Sequence, residues 1–84
     1  MPVVTTLRAA AAENLRGWRS RRRLRQVDVG QAIGLSQRSV ADIEAGRREL
    51  TLSELPAICS ALGIGLRELL DGADPELLEA LRLS

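Results

Sequence analysis

Gln37 and Arg38 follow Ser36 in the stretch IGLSQRSVADIEAG, residues 33 to 46, and so place an amide and a guanidinium in the first turn of an expected helix. An arginine there lies at the positive end of the helix macrodipole, where an acidic residue would stabilise better. The cost to the free protein points to a partner outside the chain. A second group of residues could serve the same chemistry. Arg21, Arg22, Arg23 and Arg25 put four arginines into five residues, and all twelve basic residues of the chain are arginine, which either a need for forked donors or a GC-rich coding bias explains.

The net charge is only +1, but its distribution is uneven. Residues 1 to 48 hold ten arginines against Glu13, Asp28, Asp42 and Glu44, a balance of +6. Residues 49 to 84 hold Arg67 and Arg82 against seven acids, a balance of −5. A chain with one basic half suits a polyanion on one face, and its acidic half would be repelled from that polyanion and help fix orientation. The alternative is an ordinary solvated charged surface.

Other chemistries find little support. There is no histidine, no cluster of metal-ligand residues, no glycine-rich phosphate loop, and Cys59 has no candidate base, so neither an enzyme nor a metal or cofactor is expected. A lone cysteine cannot close an intramolecular disulfide, and no signal-peptide pattern is present, which fits a reducing, cytoplasmic setting. No apolar run approaches the ~20 residues of a membrane span, and no membrane partner is expected.

The elements that must position these side chains are helices. With 84 residues, one tryptophan and no phenylalanine or tyrosine, the chain is expected to form a single all-α domain over residues 1 to 84 with an aliphatic core. A core that small makes oligomerisation a reasonable expectation.

The first helix is expected from an N-cap at Thr6 to about Arg22, with Leu7, Ala11, Leu15 and Trp18 on one stripe. Gly17 weakens it, and Trp18 reads as core. QVDVGQAI, 26 to 33, forms the second, with Val29, Gly30 and Ile33 inward and Gly30 marking a close helix approach. Gly34 stops it, Ser36 caps the third, and Gly46 ends that one, with Val40 and Ile43 inward. TLSE at 51 to 54 is a capping-box pattern, and a start at 52 or 53 accommodates Pro56 in the first turn of the fourth helix. Leu55, Ile58 and Leu62 line its inner side until Gly63. GLRELLDG makes a short fifth helix, and Asp74 with Pro75 opens a short sixth whose Leu77, Leu78 and Leu81 cover the core or face a second subunit.

Two short helices joined by a tight glycine-containing turn in a five-helix domain resemble the lambda-repressor-like (Cro/C1, XRE-type) helix-turn-helix DNA-binding family. The residues carrying the resemblance are Leu15, Trp18, Arg19, Leu24, Gln26, Val29, IGLS at 33 to 36, Val40, IEAG at 43 to 46 and ALGIGLRELL at 61 to 70. They span 15 to 70, with the helix-turn-helix at 26 to 45 and a tail at 71 to 84 as a candidate dimerisation segment.

The resemblance implies a double-stranded DNA operator as partner, with the helix at 37 to 45 in the major groove. Gln37, Arg38 and Asp42 fall at its base-reading positions. Gln37 would pair with adenine and Arg38 with guanine, while Asp42 either accepts from cytosine or, the reading favoured here, tethers Arg38 four residues earlier. Gln26, Ser39, Arg47, Arg48 and Arg25 fall at phosphate-binding positions, and Arg19 and Glu44 at a structural pair between the first and third helices. Arg23 stands where a glycine is common, Arg25 where Ser or Thr is, and Ala45 where Asn is. The function implied is a sequence-specific transcriptional regulator, a homodimeric repressor on a palindromic operator, with no small-molecule ligand. The alternative is an antitoxin or restriction-modification controller with a protein partner and autoregulatory DNA binding.

Overall fold

The computed structural model describes residues 5–84 and shows six helices among them: α1 Leu7–Arg21, α2 Gln26–Ile33, α3 Gln37–Glu44, α4 Leu55–Leu62, α5 Leu66–Leu69 and α6 Pro75–Ala80. The expected short sixth helix is present, and residues 1–4 of the expected single domain lie outside the described residues. No described helix is long and apolar enough to cross a membrane.

Helix α1 begins where the Thr6 side chain accepts the N–H of Ala9 at 3.0 Å. Its run Ala10, Ala11 and Ala12 is buried, and small side chains there let the neighbouring helices approach closely. It ends because Arg23 adopts φ 59°, a left-handed conformation that disfavours a side chain by roughly 1 to 2 kcal/mol. That backbone explains why glycine is common at this position in the resembling family.

Helix α2 starts at an extended Arg25 whose own N–H is taken by the Asp28 carboxylate at 2.8 Å, the reciprocal half of a capping box, while the Asp28 N–H that an N-cap Ser or Thr would accept turns to the Arg25 carbonyl at 3.0 Å. Gly34 ends it at φ 77°, with the Leu35 N–H bonded back to the Gly30 carbonyl at 2.8 Å. A Cβ added at Gly30 would lie 2.5 Å from the Leu35 carbonyl oxygen. The close approach expected at Gly30 is therefore to the turn itself, and it sets the angle between α2 and α3.

The Ser36 side chain accepts the Ser39 N–H at 3.1 Å and opens α3. The expected start of the fourth helix at 52 or 53 resolves into two pieces, a 3-10 turn at Leu52–Glu54 followed by α4 proper. Pro56 supplies the reason, since its missing N–H cannot bond to residue 52 in an α-helical pattern.

Leu15, Val29, Val40, Ile43, Ile58, Leu62 and Leu69 are the fully buried side chains. They come from α1 to α5, so each helix is held mainly by what it buries, about 1.5 to 3 kcal/mol for each large aliphatic group. Polar ties close the ends. Asn14 donates to the carbonyls of Leu69 and Asp71, both at 2.8 Å, and the Asp74 N–H bonds to the Thr5 carbonyl at 2.9 Å. These bonds anchor α5 and α6 on α1.

Candidate nucleic-acid interface

The head of α3 carries the side chains of interest because Val40 and Ile43 turn the opposite face inward. Gln37 and Arg38 are exposed, and the Arg38 side chain keeps 86% of its surface in solvent. Gln37 is nevertheless held. Its Nε2 donates to Gln26 Oε1 at 2.7 Å, and Gln26 Nε2 donates to Glu44 Oε1 at 3.2 Å.

Glu44 in turn receives Arg19 through Nε at 2.6 Å and Nη2 at 3.1 Å, and Arg19 Nη1 donates to the Leu24 carbonyl at 2.9 Å. A carboxylate can only accept, so Glu44 fixes which end of the Gln26 amide faces it. That orientation presents Gln26 Oε1 to Gln37 and leaves Gln37 Oε1 and one N–H for an outside partner. Glu44 also raises the Arg19 pKa, chiefly through the side-chain hydrogen bond, with burial opposing. Arg19 and Glu44 thus form the expected pair between α1 and α3.

Asp42 takes a second partner besides the one expected. Its Oδ2 lies 3.7 Å from Arg38 Nε, while Oδ1 accepts from Arg47 Nη2 at 3.0 Å and Nε at 3.2 Å. The tether to Arg38 exists but is the looser of the two. The main chain brings Arg47 there, because its N–H bonds to the Asp42 carbonyl at 2.9 Å.

The remaining phosphate-binding candidates divide. Ser39 is half-buried beside Ser36, whose hydroxyl donates to the Ser39 Oγ at 3.1 Å. Arg25 folds over Asp28, with contacts of 2.9 and 3.0 Å that raise its own pKa and hold Asp28 below the ordinary carboxylate value. Arg48 turns to Glu54 with contacts of 2.8 and 3.0 Å, stapling the loop after α3 to the start of α4. The bond from Arg48 holds the Glu54 carboxyl down at about 2.

Trp18 packs against the core as expected, and the guanidinium carbons of Arg21 and Arg22 lie 4.5 and 5.0 Å from its ring centroid. Arg22 also donates to the Leu62 carbonyl at 3.0 Å. Part of the arginine cluster is therefore committed to the fold. Nothing in the order of residues revealed the Gln26–Gln37 bond or the preference of Asp42 for Arg47.

The α2–turn–α3 unit on this core defines a DNA-binding class. A helix-turn-helix domain family description matches residues 10–71, and the chain belongs to that family, in its lambda-repressor-like branch. It is similar to the restriction-modification controller protein C.AhdI from Aeromonas hydrophila, with 30% identity over 71% of this chain and 91% of that one and a TM-score of 0.67. It is also similar to the P22 c2 repressor, solved in complex with a synthetic operator, with 27% identity over 74% and 94% of the two chains and a TM-score of 0.68.

The hydroxypropylphosphonic acid epoxidase of S. wedmorenis contains the same fold as a part, 35% of that longer chain, with 28% identity over 79% of this chain and a TM-score of 0.72. No curated protein sequence matches the chain. The protein is accordingly a helix-turn-helix regulator of transcription by fold and family.

Proposed function

We propose that the protein acts as a homodimeric, cytoplasmic repressor that reads a palindromic DNA operator through the head of α3. The observation supporting this is Gln37, exposed yet aimed by Gln26, beside an Arg38 that is free to enter a groove. In this reading Gln37 pairs with adenine N6 and N7, and Arg38 with guanine O6 and N7. Asp42 stands behind Arg38. Gln26 and Ser39 take phosphates around them, while Arg47, Arg25 and Arg48 do so on leaving Asp42, Asp28 and Glu54. Leu66, Leu77, Leu78 and Leu81 make the contact between copies, and Leu81, 48% exposed at the C-cap of α6, is the most available of them. Two α3 helices then meet successive major grooves about 34 Å apart.

Selection from random duplex DNA tests the reading. The expected result is an inverted repeat with half-sites about one helical turn apart, bound by a dimer in sedimentation that Leu81→Ser weakens. Recovery of no common sequence would refute it.

The similarity to C.AhdI favours a narrower variant, a controller of restriction-modification genes that regulates its own promoter. Recovery of the selected site upstream of the chain's own coding sequence and of a neighbouring nuclease gene distinguishes that variant.

A further inference from the structure

Asp42 occupies an unusual position for a residue on a DNA-reading helix, since it brings a negative charge to a surface meant for phosphate. Its geometry suggests a use for that charge. Oδ1 accepts two bonds from the Arg47 guanidinium, at 3.0 and 3.2 Å, and Oδ2 lies 3.7 Å from Arg38 Nε. The Asp42 side chain is itself only 26% exposed, while those of Arg47 and Arg38 are 67% and 86% exposed. One fixed carboxylate thus spans the two arginines that flank the outer face of α3. The placement is built in, because the Asp42 carbonyl also accepts the N–H groups of Arg47 and Arg48, at 2.9 and 3.2 Å.

We infer that Asp42 is a specificity-determining residue that acts as an internal competitor for the DNA backbone, holding Arg47 as a phosphate would. The inference rests on the DNA-reading role proposed above. A phosphate that takes the Nε–Nη2 edge of Arg47 must displace Asp42 from it, so backbone contacts that carry no sequence information gain less there. Arg38 is held more loosely and is released first, when a guanine offers its paired acceptors. The same carboxylate keeps Arg38 over the groove and away from the flanking phosphates. Asp42 therefore lowers affinity for all DNA but lowers it most for DNA without the right bases.

Asp42→Asn removes the charge while keeping the shape, and the main-chain bonds to the Asp42 carbonyl do not depend on the side chain. The intact protein, Asp42→Asn, Arg47→Ala and the double variant are titrated with the selected operator and with a random-sequence duplex at several salt concentrations. Asp42→Asn should tighten random-duplex binding about two- to fivefold, the worth of one exposed ion pair. It should steepen the salt dependence by about one unit in log–log slope. Operator binding should gain less, because Arg38 loses the carboxylate that positions it, so the operator-to-random ratio falls; in the Arg47→Ala background the random-duplex gain should vanish.

A gain of equal size in that background would overturn the inference, because it would reflect a general loss of repulsion. So would a loss of preference confined to one base pair, which would make Asp42 a reader of cytosine, or no change at all. Failure of the intact protein to bind any duplex would instead remove the DNA-reading role itself.

Discussion

Arg19 grips both carboxylate oxygens of Glu44, at 2.6 and 3.1 Å, with only 18% and 5% of the two side chains exposed. Removing one partner leaves a largely buried charge uncompensated, at a cost of about 3 to 5 kcal/mol, whereas replacing both by apolar groups costs much less. A double-mutant cycle of Arg19→Met and Glu44→Leu in chemical denaturation should therefore be strongly non-additive. Additive losses would show that the two groups stand independently in the fold.

Two helical glycines should respond to alanine with opposite signs. Gly17 lies in α1 with nothing within 4 Å of an added Cβ, so Gly17→Ala should stabilise by about 0.5 to 1 kcal/mol through helix propensity. Gly30 faces the Leu35 carbonyl oxygen at 2.5 Å from such a Cβ, and Gly30→Ala should destabilise by about 1 to 3 kcal/mol as the turn is forced apart. Thermal melts of the two variants decide the matter, and equal signs would contradict the packing described for the turn.

Arg38 and Arg47 should differ in what they contribute to DNA binding. Arg38→Ala should relax the preference at one base pair per half-site by about 1 to 3 kcal/mol, as a lost paired contact does. Arg47→Ala should weaken operator and random duplex alike and reduce the salt slope by about one unit. A panel of operators varied at each base pair, measured at two salt concentrations, separates them. Identical, sequence-independent losses would make Arg38 another backbone anchor.

Acid should loosen the segment between α3 and α4. The Arg48 guanidinium lowers the Glu54 carboxyl from an ordinary 4.5 to about 2, helped by the Thr51 N–H bond and opposed by burial. A depressed carboxyl stabilises the fold fully above its unfolded value and loses that contribution as pH falls through the folded one. Stability should therefore drop between about pH 4.5 and pH 2, and the drop should be smaller in Glu54→Gln, which lacks the titrating group. Indistinguishable acid profiles for the two proteins would rule out Glu54 as a source of the pH dependence.

The features legible in the order of residues are local. Thr6, Ser36 and Asp74 cap helices, Gly34 and Gly63 end them in left-handed conformations, and the stripes through Leu15, Val29, Val40 and Ile58 face the core. Each depends on residues within about one helical turn, and side-chain periodicity records which face is buried. The family resemblance added the long-range Arg19–Glu44 pair, which spacing alone would not have joined.

Which partner each long polar side chain takes follows from the folding of distant segments together. Gln37 meets Gln26 eleven residues away, and Gln26 meets Glu44 eighteen away, because the α2–α3 turn folds those positions together. At Asp42 the helical spacing to Arg38 is a valid expectation, yet Arg47 is nearer, since the chain doubles back after Gly46 at φ 77°. Exposed ion pairs differ by less than about 1 kcal/mol, so small differences in position select among them, and those positions are set by the packing of the core beneath.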